Sequence, residues 1–160
     1  MIHKHFAPLG ACTLLAACAL LAACATVPPP APGPTGPVRT STGDDCAIFA
    51  AIAREHYRFQ ENPPPPLWNP VESDDGGVYR LTCDWDRLGV PFRETYNPRS
   101  PYMPGRVQWV KFEEPRYHSR GATVVTGIMH GPLAGMGYEC DMLSGFAGWT
   151  VRECRTTWIS

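Results

Sequence analysis

The cysteines are the residues of this chain best suited to chemistry, because a thiol can form a disulfide, bind a metal ion or act as a nucleophile. Three of the seven cysteines lie within the first 24 residues, and the other four are Cys46, Cys83, Cys140 and Cys154. Four cysteines allow three pairings. Seven cysteines in 160 residues indicate an oxidising compartment.

We predict that Cys46 pairs with Cys83 and that Cys140 pairs with Cys154. The last two stand almost symmetrically about a glycine-rich loop at residues 144–148. Opposed positions of a hairpin have Cβ atoms about 4 Å apart, as a disulfide requires. The Cys46–Cys83 pair would join the start of a predicted helix to the first predicted strand. The spacing of the cysteines along the sequence supports only the Cys140–Cys154 pair.

The same thiols are poor candidates for a metal site or for catalysis. No Cys-x-x-Cys and no paired Cys/His knuckle is present, so a zinc site is not expected. An even set of thiols in an oxidising compartment is normally paired, which disfavours a cysteine nucleophile. No phosphate-binding glycine loop, Gly-x-Ser-x-Gly elbow or His-Glu-x-x-His motif is present, and we expect no cofactor.

Three histidines and two carboxylates are the remaining candidates for acid–base chemistry. His56 falls at the edge of an apolar helical stripe, where a packing role is favoured over a general base. Asp84 and Asp86 share one face of a predicted strand, where a solvated strand end explains them. An alternative function, a small hydrolase, would use His118 or His130 as base and Asp84 or Asp86 as its partner.

The N-terminal segment has the pattern of an export signal. Lys4 precedes an apolar run of mostly Ala, Leu and Cys at residues 9–23, which is too short for an ordinary transmembrane helix. A Leu-Ala-Ala-Cys sequence occurs twice in this segment, ending at Cys18 and at Cys24. This pattern resembles the lipobox of bacterial lipoproteins.

The resemblance implies a signal peptide at residues 1–23 and a lipid on Cys24, with Cys18 as the alternative site. Cys24 follows the longer apolar run, and the composition changes abruptly after it. Residue 25 is Ala and not Asp. By the sorting rule of enterobacterial lipoproteins, this residue implies that the protein is anchored at the outer membrane and faces the periplasm. The membrane is then a partner through the lipid anchor. An ordinary cleaved signal with incidental cysteines is the alternative.

The composition divides the rest of the chain into a tether and one domain. Proline-rich residues 28–37 favour an extended, solvated chain, so we predict a tether at residues 24–43 and a single domain at residues 44–160. The formal net charge of -1 disfavours a nucleic-acid partner. A protein or a polymer of the cell envelope remains as a possible further partner.

One amphipathic helix is predicted at about residues 45–60. Asp44 and Asp45 can cap its start, and the apolar positions of residues 48–53 follow helical spacing. The Asn-Pro-Pro-Pro-Pro sequence at residues 62–66 ends it.

Three strands in an antiparallel meander are predicted at the C-terminal end. Residues 121–131, 135–143 and 148–159 are rich in β-branched, aromatic and sulfur-containing residues and are bounded by glycine or proline. A symmetric register would place Met142 opposite Arg152, and Trp149 and Val151 would then point to the face of the sheet opposite to that of Met142. A β-bulge near Arg152 would restore that face together with the cysteine pair.

Two shorter strands are predicted at residues 78–85 and 106–112, with a proline-rich surface loop at residues 88–105 between them. The Gly-Trp-x-Val opening of the last strand, at residues 148–151, is similar to the last strand of nuclear-transport-factor-like rolls. Cystatin-like rolls are similar in architecture. The resemblance implies an α+β fold with one N-terminal helix packed on a curved antiparallel sheet of about five strands, stabilised by disulfides.

Rolls of this kind host enzymes as well as binding modules, so the resemblance implies no function. The sequence has no catalytic constellation, a nearly neutral charge and a tethered head. These features predict a lipid-anchored, non-catalytic binding or structural accessory module, with no catalytic and no metal-binding residue.

Overall fold

The structure is a computed structural model, and the residues that it describes are 33, 35–73, 75–98 and 108–160. Pro32–Ser160 form one compact unit. Its described residues have an α+β fold with one short α-helix and two disulfides. The predicted signal peptide and the two candidate lipid sites, Cys18 and Cys24, lie outside the described residues.

The elements of secondary structure follow one another from the start of the unit to its end. They are β1 (Val38–Thr40), α1 (Gly43–Ala51), a π-helical turn (Ile52–His56), β2 (Leu67–Trp68), β3 (Val71–Glu72), β4 (Val78–Arg80), β5 (Thr95–Tyr96), β6 (Trp109–Phe112), β7 (Arg116–His118), β8 (Gly121–Gly131), β9 (Ala134–Gly145) and β10 (Gly148–Ile159).

The strands form two sheets. The larger, of seven strands, has the order β10-β9-β8-β6-β2-β5, with β7 also paired to β8, and the smaller has the order β1-β4-β3. The pairs β1–β4, β2–β5 and β2–β6 are parallel. The prediction of about five strands in one antiparallel sheet is therefore wrong in both number and direction. The strands that it missed are two or three residues long, too short to show a periodic pattern.

The C-terminal meander is confirmed, because β8, β9 and β10 are neighbours in that order. In the last hairpin Cys140 lies opposite Cys154 and Met142 lies opposite Val151, with a register shift directly after Val151. Arg152 is the extra residue, so the predicted bulge is confirmed. The bulge lets Val151 and Cys154 both pack against the core.

The helix begins earlier than predicted, and its cap is Thr42 instead of Asp44 or Asp45. The Thr42 hydroxyl accepts a hydrogen bond of 3.3 Å from the backbone N–H of Asp45. The Asp45 carboxylate in turn accepts one of 2.7 Å from the backbone N–H of Thr42. This reciprocal pair is a capping box, and it satisfies two N–H groups that the first turn would leave unpaired.

The helix also ends earlier than the predicted residue 60. After Ala51 the chain widens into the π-helical turn, where the N–H of Tyr57 bonds to the carbonyl of Ile52 at 3.1 Å. Arg58 then takes a φ of 56°, which turns the chain out of the helical path before the prolines are reached.

The domain begins before residue 44, so the predicted end of the tether is wrong. The N–H of Gly36 bonds to the carbonyl of Gly76 at 2.9 Å, and Val38–Thr40 pair in parallel with β4. The strand predicted at residues 78–85 ends at Arg80. The side-chain amide of Asn69 bonds to both the N–H and the C=O of Leu81, which takes the place of a neighbouring strand there.

The core lies between α1 and the inner face of the larger sheet. Phe49 of α1 stacks on Phe112 of β6, with ring centroids 5.2 Å apart. Ile48 and Ile52 are fully buried, as are Val124 and several of its neighbours on the same face of the sheet. The packing of the helix on the sheet is therefore confirmed. The consecutive residues Ile48–Ala53 are all fully buried, so this part of the helix is enclosed on every side, and the prediction of an amphipathic helix with a single apolar stripe is wrong.

Candidate binding groove

A groove of about 980 Å³ lies between residues 62–66 and the end of the sheet where β8 turns into β9. Its volume is at the upper end of the range of small-molecule sites. Prolines, aliphatic side chains and sulfur atoms make most of its walls, and polar side chains are interspersed. The lining residues include His56, Tyr57, Phe59, Asn62, Pro63, Pro64, Pro65, Pro66, Arg93, Glu94, Gln108, Ile128, Met129, His130, Met136, Tyr138 and Ile159.

Three aromatic rings meet on one side of the groove. The ring centroids of His56 and Tyr138 are 4.3 Å apart with an interplanar angle of 77°, and those of His56 and Tyr57 are 4.8 Å apart. Tyr57 also contacts Tyr138 edge to face, at 6.0 Å. The π-helical turn explains why two consecutive residues, His56 and Tyr57, both reach the same ring, since a π-turn changes the direction of the side chains that follow it.

A chain of hydrogen bonds fixes Tyr57. Its hydroxyl lies 3.1 Å from Oγ1 of Thr126, and the Thr126 hydroxyl donates to the carbonyl of Lys111 at 2.7 Å. The Thr126 hydroxyl has a single proton, so Tyr57 is the donor of the first bond. Burial raises the pKa of Tyr57 well above its ordinary value. Tyr57 is therefore neutral and immobilised at physiological pH.

His56 is the polar group of this aromatic set that remains available to a ligand. Burial lowers the pKa of His56 below its ordinary value, so the ring is neutral at pH 7 and offers one donor and one acceptor. Within the described part of the chain no hydrogen bond to either ring nitrogen of His56 is found, and neither nitrogen is shut off from solvent.

The walls beside these rings are apolar and stiff. The hydroxyl of Tyr138 lies 2.9 Å from Sδ of Met136 and donates to it, which holds both side chains in place. The four prolines of residues 63–66 form the facing wall, and their rings fix the backbone φ angle. At the rim, Arg93 pairs with Asp86 at 3.4 Å, and both side chains are exposed.

The structure does not bring the predicted acid–base residues together. His130 lines the groove, whereas His118 lies on the exposed strand β7. Asp84 and Asp86 lie on the exposed turn after β4, where Asp84 accepts a hydrogen bond from the backbone N–H of Arg87. No contact between either histidine and either aspartate is found among the described residues. A search of the same residues finds no group of three or more His, Cys, Asp or Glu that could hold a metal ion.

A second polar cluster surrounds Asp45 at the other end of the helix. Asp45 is 5% exposed, and its carboxylate accepts hydrogen bonds from the hydroxyls of Tyr79, at 2.8 Å, and Tyr117. Burial alone would raise the pKa of Asp45, but the bonds from the Thr42 N–H and from the two tyrosines outweigh it and lower the pKa. Burial and the Asp45 bond raise the pKa of both tyrosines. Because every member is paired within the cluster, its role is structural.

Both predicted cysteine pairs are bonded in the structure. The Cys46–Cys83 disulfide joins α1 to the segment after β4, and the Cys140–Cys154 disulfide crosses the last hairpin. Four thiols are thereby removed from any metal-binding or nucleophilic role.

The groove itself was not predicted from the sequence. The proline run at residues 62–66 predicts the end of a helix, and in the structure it also forms a wall of the groove. The sequence does contain two signals of this site. His56 and Tyr57 are adjacent and shortly precede the proline run, and Tyr138 lies on the inward-facing side of a predicted strand. What was missing was the register that brings Tyr138 to the same place.

No helix of the described residues is both long enough and apolar enough to cross a membrane. No family model, no curated protein and no solved structure matches the chain.

Proposed function

We propose that the protein is a non-catalytic binding module that takes an uncharged, largely apolar ligand into the groove. The observation that carries this proposal is the groove of about 980 Å³ itself, whose walls are mostly proline, aliphatic and aromatic side chains. Large apolar clefts with a few converging polar groups are the usual sites of small-molecule binding.

The chemistry of the aromatic side defines the ligand more closely. His56 is neutral at pH 7. The hydroxyl of Tyr57 donates to Thr126, and that of Tyr138 donates to Met136, so neither hydroxyl proton is left for a ligand. His56 can give one hydrogen bond and accept another. A flat ligand portion that packs on the three rings, with one polar atom facing His56, fits this arrangement. The charged side chains Arg93 and Glu94 lie at the groove, where they can contact a polar end of the ligand.

A fluorescent apolar probe tests the groove directly. N-phenyl-1-naphthylamine is uncharged and becomes bright when it enters an apolar site. We expect saturable binding to the wild-type protein, weakened about tenfold or more in Tyr138→Ala, because an aromatic contact and its buried area are lost.

Phe146→Ala is the matched control, since Phe146 is fully exposed on the β9–β10 loop and does not line the groove. It removes an apolar ring of similar size without touching the site. Non-saturable binding, or equal weakening in both variants, would show that the dye reports exposed apolar surface and would overturn the proposal.

We further propose that the domain is held at the outer membrane by a lipid on Cys24, after removal of residues 1–23. The two Leu-Ala-Ala-Cys sequences and the proline-rich residues that follow support this anchor. Fractionation of cells that express Cys24→Ser should find the protein released from membranes. Release by Cys18→Ser instead would move the site, and membrane association in both variants would refute the anchor.

A further inference from the structure

A row of aromatic side chains crosses the outer face of the larger sheet, the face turned away from α1. Leu67 of β2 and Val110 of β6 are opposite each other and buried in the core. Side chains alternate along a strand, so their neighbours Trp68 and Trp109 point to the outer face. Tyr96 of β5 is paired with Trp68 and lies on the same face.

Three rings of this row pack edge to face. The ring centroids of Tyr96 and Trp68 are 5.3 Å apart, and those of Trp68 and Trp109 are 4.8 Å apart, with interplanar angles of 70° and 81°. Each of these rings is partly exposed. The contacts fix the orientation of the rings, so that a ligand finds a rigid surface and little side-chain entropy is lost on binding.

Trp158 continues the row across β9 and β8. It lies opposite Gly137, and a Cβ atom on Gly137 would lie 1.8 Å from Nε1 of its indole. The indole therefore rests directly on the glycine backbone. A Cβ on Gly127, the next residue across the sheet, would lie 3.2 Å from Trp158 and 3.6 Å from Trp109, so both indoles border the space above this glycine.

Glycine weakens a strand, and it often marks a place where a ring, a backbone or a ligand comes close to the sheet. Gly127 and Gly137 let Trp158 lie flat, yet Trp158 remains 36% exposed. The indole covers the glycine backbone and still keeps an exposed part that a ligand can contact. This is the arrangement expected of a stacking platform rather than of a core residue.

The row also carries polar groups at its edge. Among the described residues, the indole N–H groups of Trp68 and Trp109 donate to no protein acceptor, and neither nitrogen is shut off from solvent. The row members Tyr96, Trp68, Trp109 and Trp158 have no charge. Lys111, opposite Gly127, pairs with Glu113 at 2.7 Å, and Arg155, on the same face, pairs with Glu139 at 3.0 Å.

We propose that this aromatic row binds a neutral glycan. A pyranose ring has one apolar C–H face, which packs on the negative face of an aromatic ring, and hydroxyl groups at its edge, which accept hydrogen bonds from indole N–H groups. An uncharged surface of this kind complements an uncharged polyhydroxylated chain. A nucleic acid would require unpaired cations along the row. A second protein copy on this face is the outcome that the test must distinguish, because Trp and Tyr are also enriched at protein interfaces.

None of the four row residues lines the groove, although the neighbouring Met129 and Gly135 do. Calorimetric titration of the full domain with chitotetraose and with cellotetraose, both neutral, tests the proposal. We expect one of the two oligomers to bind. Trp109→Ala and Trp158→Ala should each weaken that binding about tenfold or more, since each removes one stacking surface. The groove variant Tyr138→Ala should bind the glycan as the wild type does.

Trp149→Ala is the matched control, because Trp149 contacts Tyr117 at the other end of β10 and is not in the row. Thermal unfolding checks that each variant is folded. Trp158 is the penultimate residue of β10, so its replacement should disturb the fold little. If Trp109→Ala is unfolded, the binding result of Trp158→Ala alone decides the proposal. Absence of binding to both oligomers would overturn the proposal. So would equal loss in Trp149→Ala, or a dimer of the wild type that Trp158→Ala dissociates.

Discussion

Glu55 accepts a hydrogen bond of 2.8 Å from the backbone N–H of Val151. Glu55 belongs to the π-helical turn, and Val151 belongs to β10, which is the edge strand of the larger sheet. An edge strand presents unpaired N–H groups to other chains. The side chain of Glu55 covers one such group, directly before the bulge at Arg152 that disrupts the regular edge. The helix is thereby tied to the sheet at the place where pairing with another molecule would start.

Replacing Glu55 by Ala should lower the free energy of unfolding by about 1 kcal/mol, because one hydrogen bond at a partly exposed site is lost. Urea denaturation measures the change. Glu55→Gln keeps an acceptor and should recover a part of it. If Glu55→Ala and Glu55→Gln have the stability of the wild type, the contact contributes nothing.

Asp45→Asn should cost on the order of 2 kcal/mol at pH 7, since a buried carboxylate that accepts three hydrogen bonds is replaced by a group that fits them poorly. The pKa of Asp45 is lowered in the folded state, so its contribution is present above its unfolded pKa of about 4 and is lost as the pH falls through the folded value. The difference between variant and wild type should therefore shrink in acid.

The control for Asp45 is Asp44→Asn, one residue earlier in the same first turn but exposed. It removes the same charge near the helix start without touching the tyrosines. Urea denaturation at pH 7 and at about pH 3 compares the two. A cost at pH 7 that is the same for both variants would mean that the helix dipole, and not the buried cluster, accounts for the effect.

His56 should make the protein less stable in mild acid. Burial lowers its folded-state pKa, so below the unfolded value of about 6.5 the unfolded chain binds more protons and gains relative stability. The free energy of unfolding should fall as the pH drops below that value, and His56→Phe should reduce the slope. Urea denaturation of both proteins between about pH 5 and pH 8 measures the slope. A titration by NMR that finds an unshifted His56 would contradict the prediction.

The meander could be predicted from the sequence because its information is local. Each long strand is bounded by its own turn, and the positions of Cys140, Cys154 and the Trp149–Val151 face together require a bulge on sequence grounds alone. The strand β2 could not be predicted in this way. Leu67 and Trp68 follow a proline run, and they become a strand only because Thr95 and Val110, distant in sequence, pair with them.

The groove and the aromatic row share this dependence on distant pairing. Tyr138 meets His56 only when β9 and the π-helical turn are both in place, and Trp68 meets Trp109 only through the parallel pairing of β2 with β6. A two-residue period assigns each side chain to a face, but it does not say which strands are neighbours. The residue types of a site are therefore visible in the sequence, whereas their assembly is not.

The two disulfides differ in the length of chain that they close. Cys140 and Cys154 are 14 residues apart, and Cys46 and Cys83 are 37 apart. The chain-entropy model gives roughly 3 kcal/mol for a loop of the first size and roughly 4 kcal/mol for the second. Removal of Cys46–Cys83 by a double serine substitution should therefore destabilise the domain more than removal of Cys140–Cys154. Urea denaturation of the two double variants measures this order.

Peptide mapping without reduction gives an independent check on the pairing itself. It should find one peptide pair that contains Cys46 with Cys83 and another that contains Cys140 with Cys154. The hairpin pair should form even in a variant that lacks Cys46 and Cys83, because the register of β9 and β10 places the two residues opposite each other without help from the rest of the chain. A peptide that joins Cys83 to Cys140 or to Cys154 would refute this connectivity.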